Sequence, residues 1–166
     1  MMDSRLVIYI DTREQTPLDF SYFPNVIVNQ NTHNVGDYSC VMFSNGLHSA
    51  PTTSRTIFER KSKADLWGTL GGDHNRFKRE MERAKNTGIS LVLIIECPLS
   101  SINNGYKYRK GGKSIASKFS GPAMVKKLGT LRERYGLEIV YCKNKKDMEL
   151  CIYQRWFAEC RELEIK

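Results

Sequence analysis

Residues 56–61 read TIFERK, and this stretch predicts a β-strand that carries a carboxylate and an ammonium on one face. Its first residues are β-branched or aromatic, which favours a strand. Because successive side chains alternate across a strand, Glu59 and Lys61 share one face and Arg60 points to the other. Burying two such ions is costly unless they pair with each other or meet a metal ion. The strand is therefore the centre of a candidate site.

Apolar runs and turn residues place further elements around this strand. Residues 90–95 (SLVLII) form a continuous apolar run, which is typical of a strand covered on both faces. Strands are also predicted at 6–10, 38–43 and 138–142 with a possible one at 26–28, a loop or hairpin connection at 44–54, a short helix or turn at 64–70, and helices at 75–85, 122–135 and 145–163. This order predicts an α/β fold, with a central mixed sheet flanked by helices, in a single domain over residues 1–166.

Residues 98–120 are predicted to be the least regular part of the chain. They contain Asn103-Asn104-Gly105 and Gly111-Gly112, and five basic side chains interleaved with Tyr106, Tyr108 and Phe119. A long loop in a small domain is usually functional or disordered. Basic and aromatic side chains together would follow a phosphate backbone and stack on unpaired bases. A flexible, solvated loop explains the same pattern equally well.

Composition limits the class of protein. The 26 Lys and Arg residues exceed the 18 Asp and Glu residues, giving a net charge of +8, and this excess favours a polyanionic partner. No apolar run approaches the roughly 20 residues that span a bilayer, and no signal peptide is evident. The five cysteines lack the spacing of a zinc site, so we expect buried free thiols. We expect an intracellular, soluble protein without membrane contact, cytoplasmic or nucleoid-associated, or nuclear in a eukaryote.

Further carboxylates are expected near Glu59 and Lys61. Asp37 follows Gly36 at the start of a predicted strand, and Asp11 ends the first buried strand, where ligand sites occur in α/β sheets. Hard oxygen ligands from separate strand ends suit Mg²⁺ or Mn²⁺, which would polarise a phosphate and lower the pKa of a bound water. Any one of these carboxylates, taken alone, is more often a solvated or ion-paired surface residue.

Taken together, these residues resemble a known signature. Gly36-Asp37, then Glu59-Arg60-Lys61, then Asp65 after three further residues, are similar to the GD…ERKxxxD signature of XPF-type structure-specific endonucleases. The run from Ile10 to Glu14 looks like the D-x-R-E element on the first strand of that family. The resemblance implies a restriction-endonuclease-like core and covers most of the chain. It also implies a metal-dependent DNA endonuclease that prefers branched, flap or junction DNA, and it leaves DNA repair and recombination open as pathways.

The resemblance also implies roles for individual residues. Asp37, Glu59 and Asp11 would bind Mg²⁺ or Mn²⁺, with help from the carbonyl of Arg60. Lys61 would be the catalytic lysine, and Glu14, Arg60 and Asp65 would complete the catalytic site. One helix position departs from the family, because Glu80 stands where glutamine is frequent. The candidate DNA-binding residues are Arg13, Arg76, Lys107, Arg109, Lys110 and Lys113.

Partners and organisation follow from the same resemblance. The last predicted helix has a wide apolar surface that one side of a sheet would cover only in part, and family members pair through this region, so we expect a homodimer. We expect neither a helix-hairpin-helix module nor a helicase portion within the 166 residues. The alternative function is a catalytically silent DNA-binding or scaffold subunit. A single-strand binder that uses residues 98–120 and no metal is a further alternative.

Overall fold

The computed structural model of the protein describes residues 4–44, 50–72 and 74–165. Strands come first along the chain, and helices are interspersed with further strands after them, as the sequence predicts. The elements are β1 (Arg5–Asp11), β2 (Val26–Asn31), β3 (Tyr38–Phe43), β4 (Thr52–Thr53), β5 (Thr56–Ser62), α1 (Lys63–Leu70), α2 (Asn75–Asn86), β6 (Ser90–Glu96), α3 (Leu99–Asn103), β7 (Lys107–Lys110), β8 (Lys113–Ala116), α4 (Gly121–Tyr135), β9 (Glu138–Tyr141) and α5 (Lys145–Glu164).

The central sheet is mixed, with the order β2-β1-β3-β5-β6-β9, and β4 pairs with β3 outside this path. Strand β3 is antiparallel to both of its neighbours β1 and β5, whereas β5, β6 and β9 are mutually parallel. The carboxyl ends of β1, β5 and β6 and the amino end of β3 therefore share one edge of the sheet. The predicted α/β fold with a central mixed sheet between helices is confirmed.

Apolar side chains form one core on each face of the sheet. On one face, Val92 and Ile94 of β6 pack with the buried side of α5, which includes Ile152 and Trp156. On the other face, the alternate β6 residues pack with α1, α2 and α4. Because both faces of β6 are covered, the uninterrupted apolar run at 90–95 is explained.

Helix α5 lies against the sheet through one buried stripe, which contains Met148, Ile152, Trp156 and Cys160. Trp156 donates from its indole nitrogen to the carbonyl of Thr56 at 2.9 Å. Its ring meets Phe58 edge to face, with 5.2 Å between centroids. The strand that carries Glu59 and Lys61 is thus fixed from the back of the sheet by α5.

Residues 98–120 are more regular than the sequence predicts. They form the short helix α3 and then an antiparallel hairpin, β7–β8. Gly111 and Gly112 both have positive φ angles, of 58° and 75°, as a tight two-residue hairpin turn requires. The prediction of an irregular loop was wrong because the Gly-Gly pair, taken as a sign of flexibility, makes the turn of a hairpin.

Three smaller expectations have different outcomes. In the predicted connection at 44–54, residues 45–49 lie outside the described part of the chain, and β4 follows them. The five cysteines are free, and four of them are buried, as predicted. Within the described ranges, no helix has the length and apolar character needed to cross a membrane.

Candidate active site

The candidate site lies where β5 continues beyond its last pairing with β3. Strand β3 begins at Tyr38, which pairs with Phe58 of β5, and the Asp37 N–H donates to the Phe58 carbonyl at 2.8 Å. Beyond this point β5 continues to Ser62 with β6 alone as its paired strand. The part of β5 that carries Glu59 and Lys61 therefore borders an open cleft.

Glycine is required where the chain enters β3. Gly36 has a φ angle of 66°, and a Cβ there would lie 2.4 Å from Cγ2 of Ile57 and 3.0 Å from the carbonyl oxygen of Phe58. A side chain at position 36 would therefore meet both backbone strain and a steric clash. This close approach of the chain at Gly36 places Asp37 directly beside β5. The Gly-Asp order therefore has a physical reason.

Asp37 replaces a missing strand neighbour. Its Oδ2 accepts the backbone N–H of Arg60 at 2.8 Å, a donor that lies beyond the last β3 pairing. Burial raises the pKa of Asp37 to about 6, even though this hydrogen bond and the ammonium of Lys61 work in the opposite direction. A carboxylate whose ionised form is destabilised by burial is suited to bind a cation.

Glu59 and Lys61 point into the same cleft, as strand alternation predicts. Glu59 is only 6% exposed, and its Oε1 accepts a hydrogen bond from the Lys61 ammonium. Burial raises the pKa of Glu59 to about 8, opposed by Lys61. Burial alone would lower the pKa of Lys61, but the carboxylates of Glu59, Asp37 and Glu80 outweigh it and raise that pKa. Lys61 is therefore a cation throughout the neutral range.

Glu80 is a site residue that the sequence did not identify as one. From helix α2 it reaches the entrance to β3, where its Oε1 accepts the Gly36 N–H at 2.8 Å. Its charge acts on Asp37, Glu59 and Lys61 together. The amphipathic pattern of α2 gave no sign of this contact, and the one available signal was its departure from the glutamine of the resembled family.

Asp11 lies at the rim of the cleft with both carboxylate oxygens occupied. Oδ1 accepts the N–H and Nε of Arg13, both at 2.8 Å, and Oδ2 accepts Nη2 of Arg13 at 2.7 Å and the N–H of His33 at 2.8 Å. The side-chain contact with Arg13 holds the pKa of Asp11 far below its usual range. These bonds make Asp11 a support for the β1 end, and its metal binding stays a prediction.

The side chain of Arg60 lies on the other side of β5 from Glu59 and Lys61. It is buried, and it donates to Thr16 at 3.1 Å and to Glu96 at 2.9 Å, with Glu14 at 3.7 Å. Glu14 in turn accepts the N–H of Thr16 at 3.0 Å. Arg60 thus ties the loop after β1 to the ends of β5 and β6. The Arg60 guanidinium therefore has a structural role here, because it holds these segments together.

Asp65 has a local structural function at the start of α1. Ser62 is the N-cap residue, and its hydroxyl accepts the Asp65 N–H at 3.1 Å while the Asp65 carboxylate accepts the Ser62 hydroxyl at 2.6 Å. Together with the bond from the Ser62 N–H, these contacts form a capping box. Asp65 lines the cleft but is exposed. Its predicted catalytic role is untested.

The DNA-binding candidates fall into two groups. Arg13 and Arg76 line the cleft and are exposed. The remaining four, Lys107, Arg109, Lys110 and Lys113, lie on the β7–β8 hairpin and are exposed. Helix α1 lies between this hairpin and the cleft, because Trp67 of α1 packs on Tyr106 whereas Ala64 and Gly68 line the cleft.

The cleft is open and polar, with a volume of about 790 Å³. Asp37 and Glu59 supply hard oxygen donors, and burial raises the pKa of both although Lys61 acts in the opposite direction. Within the described residues, no three His, Cys, Asp or Glu side chains form a metal cage. Mg²⁺ is usually held by one or two carboxylates together with waters and substrate phosphate, so the donor set fits this ion.

Comparisons with known proteins agree with this description. The model of the ERCC4 domain family matches residues 10–154. The fold is similar to XPF from Aeropyrum pernix, with a TM-score of 0.60, 18% identity and 96% of this chain covered. It is also similar to XPF from Aeropyrum pernix in complex with DNA, with a TM-score of 0.57, 18% identity and 90% coverage. This chain spans 62% of each of those chains. No curated protein sequence matches it.

Proposed function

Because this chain belongs to the ERCC4 domain family, we propose that it is a divalent-metal-dependent DNA endonuclease that cuts at branched, flap or junction DNA. One observation carries the proposal. The half-buried Asp37 and the buried Glu59, both with raised pKa values, border the open side of β5 next to the Lys61 ammonium. The structural similarity to XPF from Aeropyrum pernix in complex with DNA supports a DNA substrate.

In the proposed mechanism, Asp37 and Glu59 would hold Mg²⁺ or Mn²⁺, with the Arg60 carbonyl as a further donor. A bound ion would supply Lewis-acid polarisation of the scissile phosphate and a more acidic water. Lys61, a permanent cation at neutral pH, stabilises the negative charge that develops on the phosphate. Glu14, Asp65 and the side chain of Arg60 fix the surrounding loop, strand and helix ends, and Arg13 and Arg76 contact phosphates at the cleft mouth.

Cleavage of end-labelled DNA tests this proposal. The substrates are linear duplex, single strand, 3′ flap and splayed arm, each with Mg²⁺, Mn²⁺ or EDTA. Metal-dependent cutting near a junction, lost in the Asp37→Asn variant, is the expected result. Tight binding of all these DNAs without any cutting would support the scaffold alternative instead.

We also propose a homodimer that forms through α5. Leu150, Tyr153 and Phe157 follow one another at helical spacing on the flank of α5 beside its buried stripe; Leu150 is 48% exposed, and Tyr153 and Phe157 are half-buried against the core. Tyr153 stacks on Phe23 with 4.1 Å between ring centroids, so the apolar stripe continues onto the loop before β2. Such a stripe, with half-buried aromatic residues, suits the apolar centre of an interface.

Light scattering at micromolar concentration tests the dimer. We expect twice the chain mass of 19.1 kDa for the wild type and the single chain mass for Leu150→Lys combined with Phe157→Lys. Glu162→Lys, at an exposed position on another face of α5, is the matched control and should stay dimeric. A monomeric wild type would refute the dimer.

Glu80 offers a test of how the site is positioned. Glu80→Gln keeps an acceptor for the Gly36 N–H, whereas Glu80→Ala leaves that donor unpaired, which costs roughly 1–3 kcal/mol. We expect Glu80→Gln to cut within about threefold of wild type at saturating metal, and Glu80→Ala to lose about 30-fold, since each 1.4 kcal/mol of barrier is about tenfold in rate.

The comparison between the two Glu80 variants separates hydrogen bonding from charge. A higher metal requirement for Glu80→Gln, without a lower maximal rate, would show that the Glu80 charge supports metal binding. Glu82→Gln, on the exposed side of the same helix, is the control and should match the wild type. Equal activity of Glu80→Ala and wild type would show that Glu80 does not position the site.

A further inference from the structure

The β7–β8 hairpin is a small ribbon with two open faces. Its strands pair in antiparallel register, and all eight strand residues are exposed. Directly paired residues share a face, so Tyr108, Ile115, Lys110 and Lys113 lie on one side. The opposite side carries Lys107, Arg109, Ser114 and Ala116. An isolated two-stranded hairpin is marginal in water, so its order needs support from its base.

That support comes from contacts at the base of the ribbon. The Ser117 N–H donates to the Tyr106 carbonyl at 2.8 Å and closes the base. Tyr106 packs on Trp67 of α1, and the Trp67 indole donates to the Phe119 carbonyl at 2.9 Å. Lys63 of α1 also donates to the Ser101 carbonyl at 2.7 Å. The ribbon is therefore anchored to the helix that lines the candidate active site.

The ribbon carries an excess of positive charge without internal compensation. Residues 97–120 contain five Lys and Arg residues and no Asp or Glu. Within the described residues, the ribbon cations form no ion pair with an acidic side chain. Four cations held on a narrow, solvated β-ribbon give a surface that is complementary to a polyanion.

The position of the ribbon matches the proposed chemistry. It follows β6, whose carboxyl end lies beside that of β5 through the Ser62–Glu96 pairing. One helix, α1, separates its base from the cleft, a distance of about 10 Å. This spacing corresponds to about three base pairs, at 3.4 Å per nucleotide of one strand.

We propose that the β7–β8 ribbon enters the major groove of the duplex that flanks the cut site and binds the phosphates on the groove walls. The major groove of B-form DNA admits a two-stranded ribbon. The three cations of β7, Lys107, Arg109 and Lys110, lie along one wall, and Lys113 of β8 lies along the other. The exposed Tyr108–Ile115 pair faces base edges. The inference rests on the proposed function, because that function makes DNA the partner. It goes beyond the proposed function because it assigns the duplex contact to one element, the β7–β8 ribbon.

Binding measured without cleavage tests the inference. The variant Lys107→Gln, Arg109→Gln, Lys110→Gln, Lys113→Gln is combined with Asp37→Asn, and affinities for duplex DNA, single-stranded DNA and duplex RNA are measured against salt concentration. The matched control replaces Arg83, Lys85, Arg132 and Arg134 with Gln. These control residues are exposed on the last turns of α2 and α4, at the opposite edge of the sheet.

For duplex DNA, we expect the ribbon variant to bind about 100-fold more weakly at 0.1 M salt. The slope of log K against log salt should become smaller in magnitude by about two to four. Single-stranded DNA and duplex RNA should lose far less, because neither presents an open major groove. The control variant should stay within about fivefold of the parent. Because the substituted side chains are exposed, the melting temperature should be unchanged in both.

Either result can be separated from the outcome of the nuclease test. Equal losses for duplex and single-stranded DNA, or equal losses in the ribbon and control variants, would overturn the ribbon inference while cleavage by the wild type stands. Conversely, a wild type that cuts nothing but shows ribbon-dependent duplex binding would overturn the nuclease proposal and support the ribbon.

Discussion

Replacing Asp37 with asparagine should reduce cleavage by about 10³-fold or more and, at pH 8 in EDTA, should raise the free energy of unfolding by about 3 kcal/mol. Asparagine keeps an oxygen for the Arg60 N–H, which Asp37 accepts at 2.8 Å. It removes the negative charge on which metal binding depends in the proposed mechanism. The two effects have opposite signs because the site charge favours catalysis and disfavours folding.

The gain in stability has a definite pH range. The folded state raises the pKa of Asp37 from 3.8 to about 6, chiefly through burial. The folded protein therefore pays an ionisation penalty that is complete above pH 6 and absent below pH 3.8. Since asparagine never ionises, the variant and the wild type should converge in stability as the pH falls toward 4. Adding Mg²⁺ or Mn²⁺ at pH 8 should stabilise the wild type alone.

Urea unfolding at pH 4 and pH 8, with and without metal, measures this prediction. Asp19→Asn is the matched control, since Asp19 is exposed and contact with Ser21 lowers its pKa. That control should show no gain in stability at pH 8. If Asp37→Asn proved less stable than wild type at pH 8, burial of the charge would not be the dominant effect on Asp37.

The centre of the site could be predicted because it depends on short-range rules. Strand alternation put Glu59 and Lys61 on one face and Arg60 on the other, and the structure agrees. The Gly36-Asp37 pair was recognisable from its place before a predicted strand and from the family signature, and the structure supplies the reason for the glycine. Strand alternation involves only neighbouring residues, so the local sequence contains that information, whereas the residues that exclude a side chain at position 36 lie 21 and 22 positions away.

Contacts between distant elements could not be predicted in the same way. The bond from Gly36 to Glu80 joins residues 44 positions apart, and it depends on how α2 crosses the sheet. The hairpin was missed for a different reason, because paired glycines suit both a flexible loop and a tight turn. The contact of Tyr106 with Trp67 supports the hairpin, and local sequence does not reveal it.

Replacing Lys61 with methionine should reduce cleavage by about 10³-fold while leaving metal binding measurable, in contrast to Asp37→Asn. Methionine keeps the apolar stem beside Phe77, whose ring lies 5.8 Å from the Lys61 nitrogen, and it removes the charge. Because its carboxylate neighbours raise its pKa, Lys61 is protonated at pH 8 and cannot serve as a general base there. Its proposed contribution is a fixed positive charge next to the phosphate.

The two variants should differ in stability as well. Lys61 is the ion-pair partner of the buried Glu59, so its loss leaves a buried carboxylate without a counter-charge. Removing one partner of a buried pair typically costs about 3–5 kcal/mol, but Glu59, whose pKa is already about 8, takes up a proton when Lys61 is lost, which limits the cost at pH 8 to roughly 1 kcal/mol. The cost should be present at pH 8 and smaller at pH 5, where Glu59, whose pKa is raised to about 8, is protonated.

Three measurements on Lys61→Met decide between charge stabilisation and a purely structural effect. They are single-turnover cleavage at saturating Mn²⁺, calorimetric Mn²⁺ binding without DNA, and urea unfolding at pH 5 and pH 8. For Lys61→Met, we expect lost cleavage, retained Mn²⁺ binding and a stability loss that grows with pH. The Lys61→Arg variant should restore stability more than the cleavage rate, because the planar guanidinium differs in shape from an ammonium. Cleavage within tenfold of wild type would exclude Lys61 from the reaction, and loss of Mn²⁺ binding would mean that Lys61 acts by keeping Glu59 ionised for the metal.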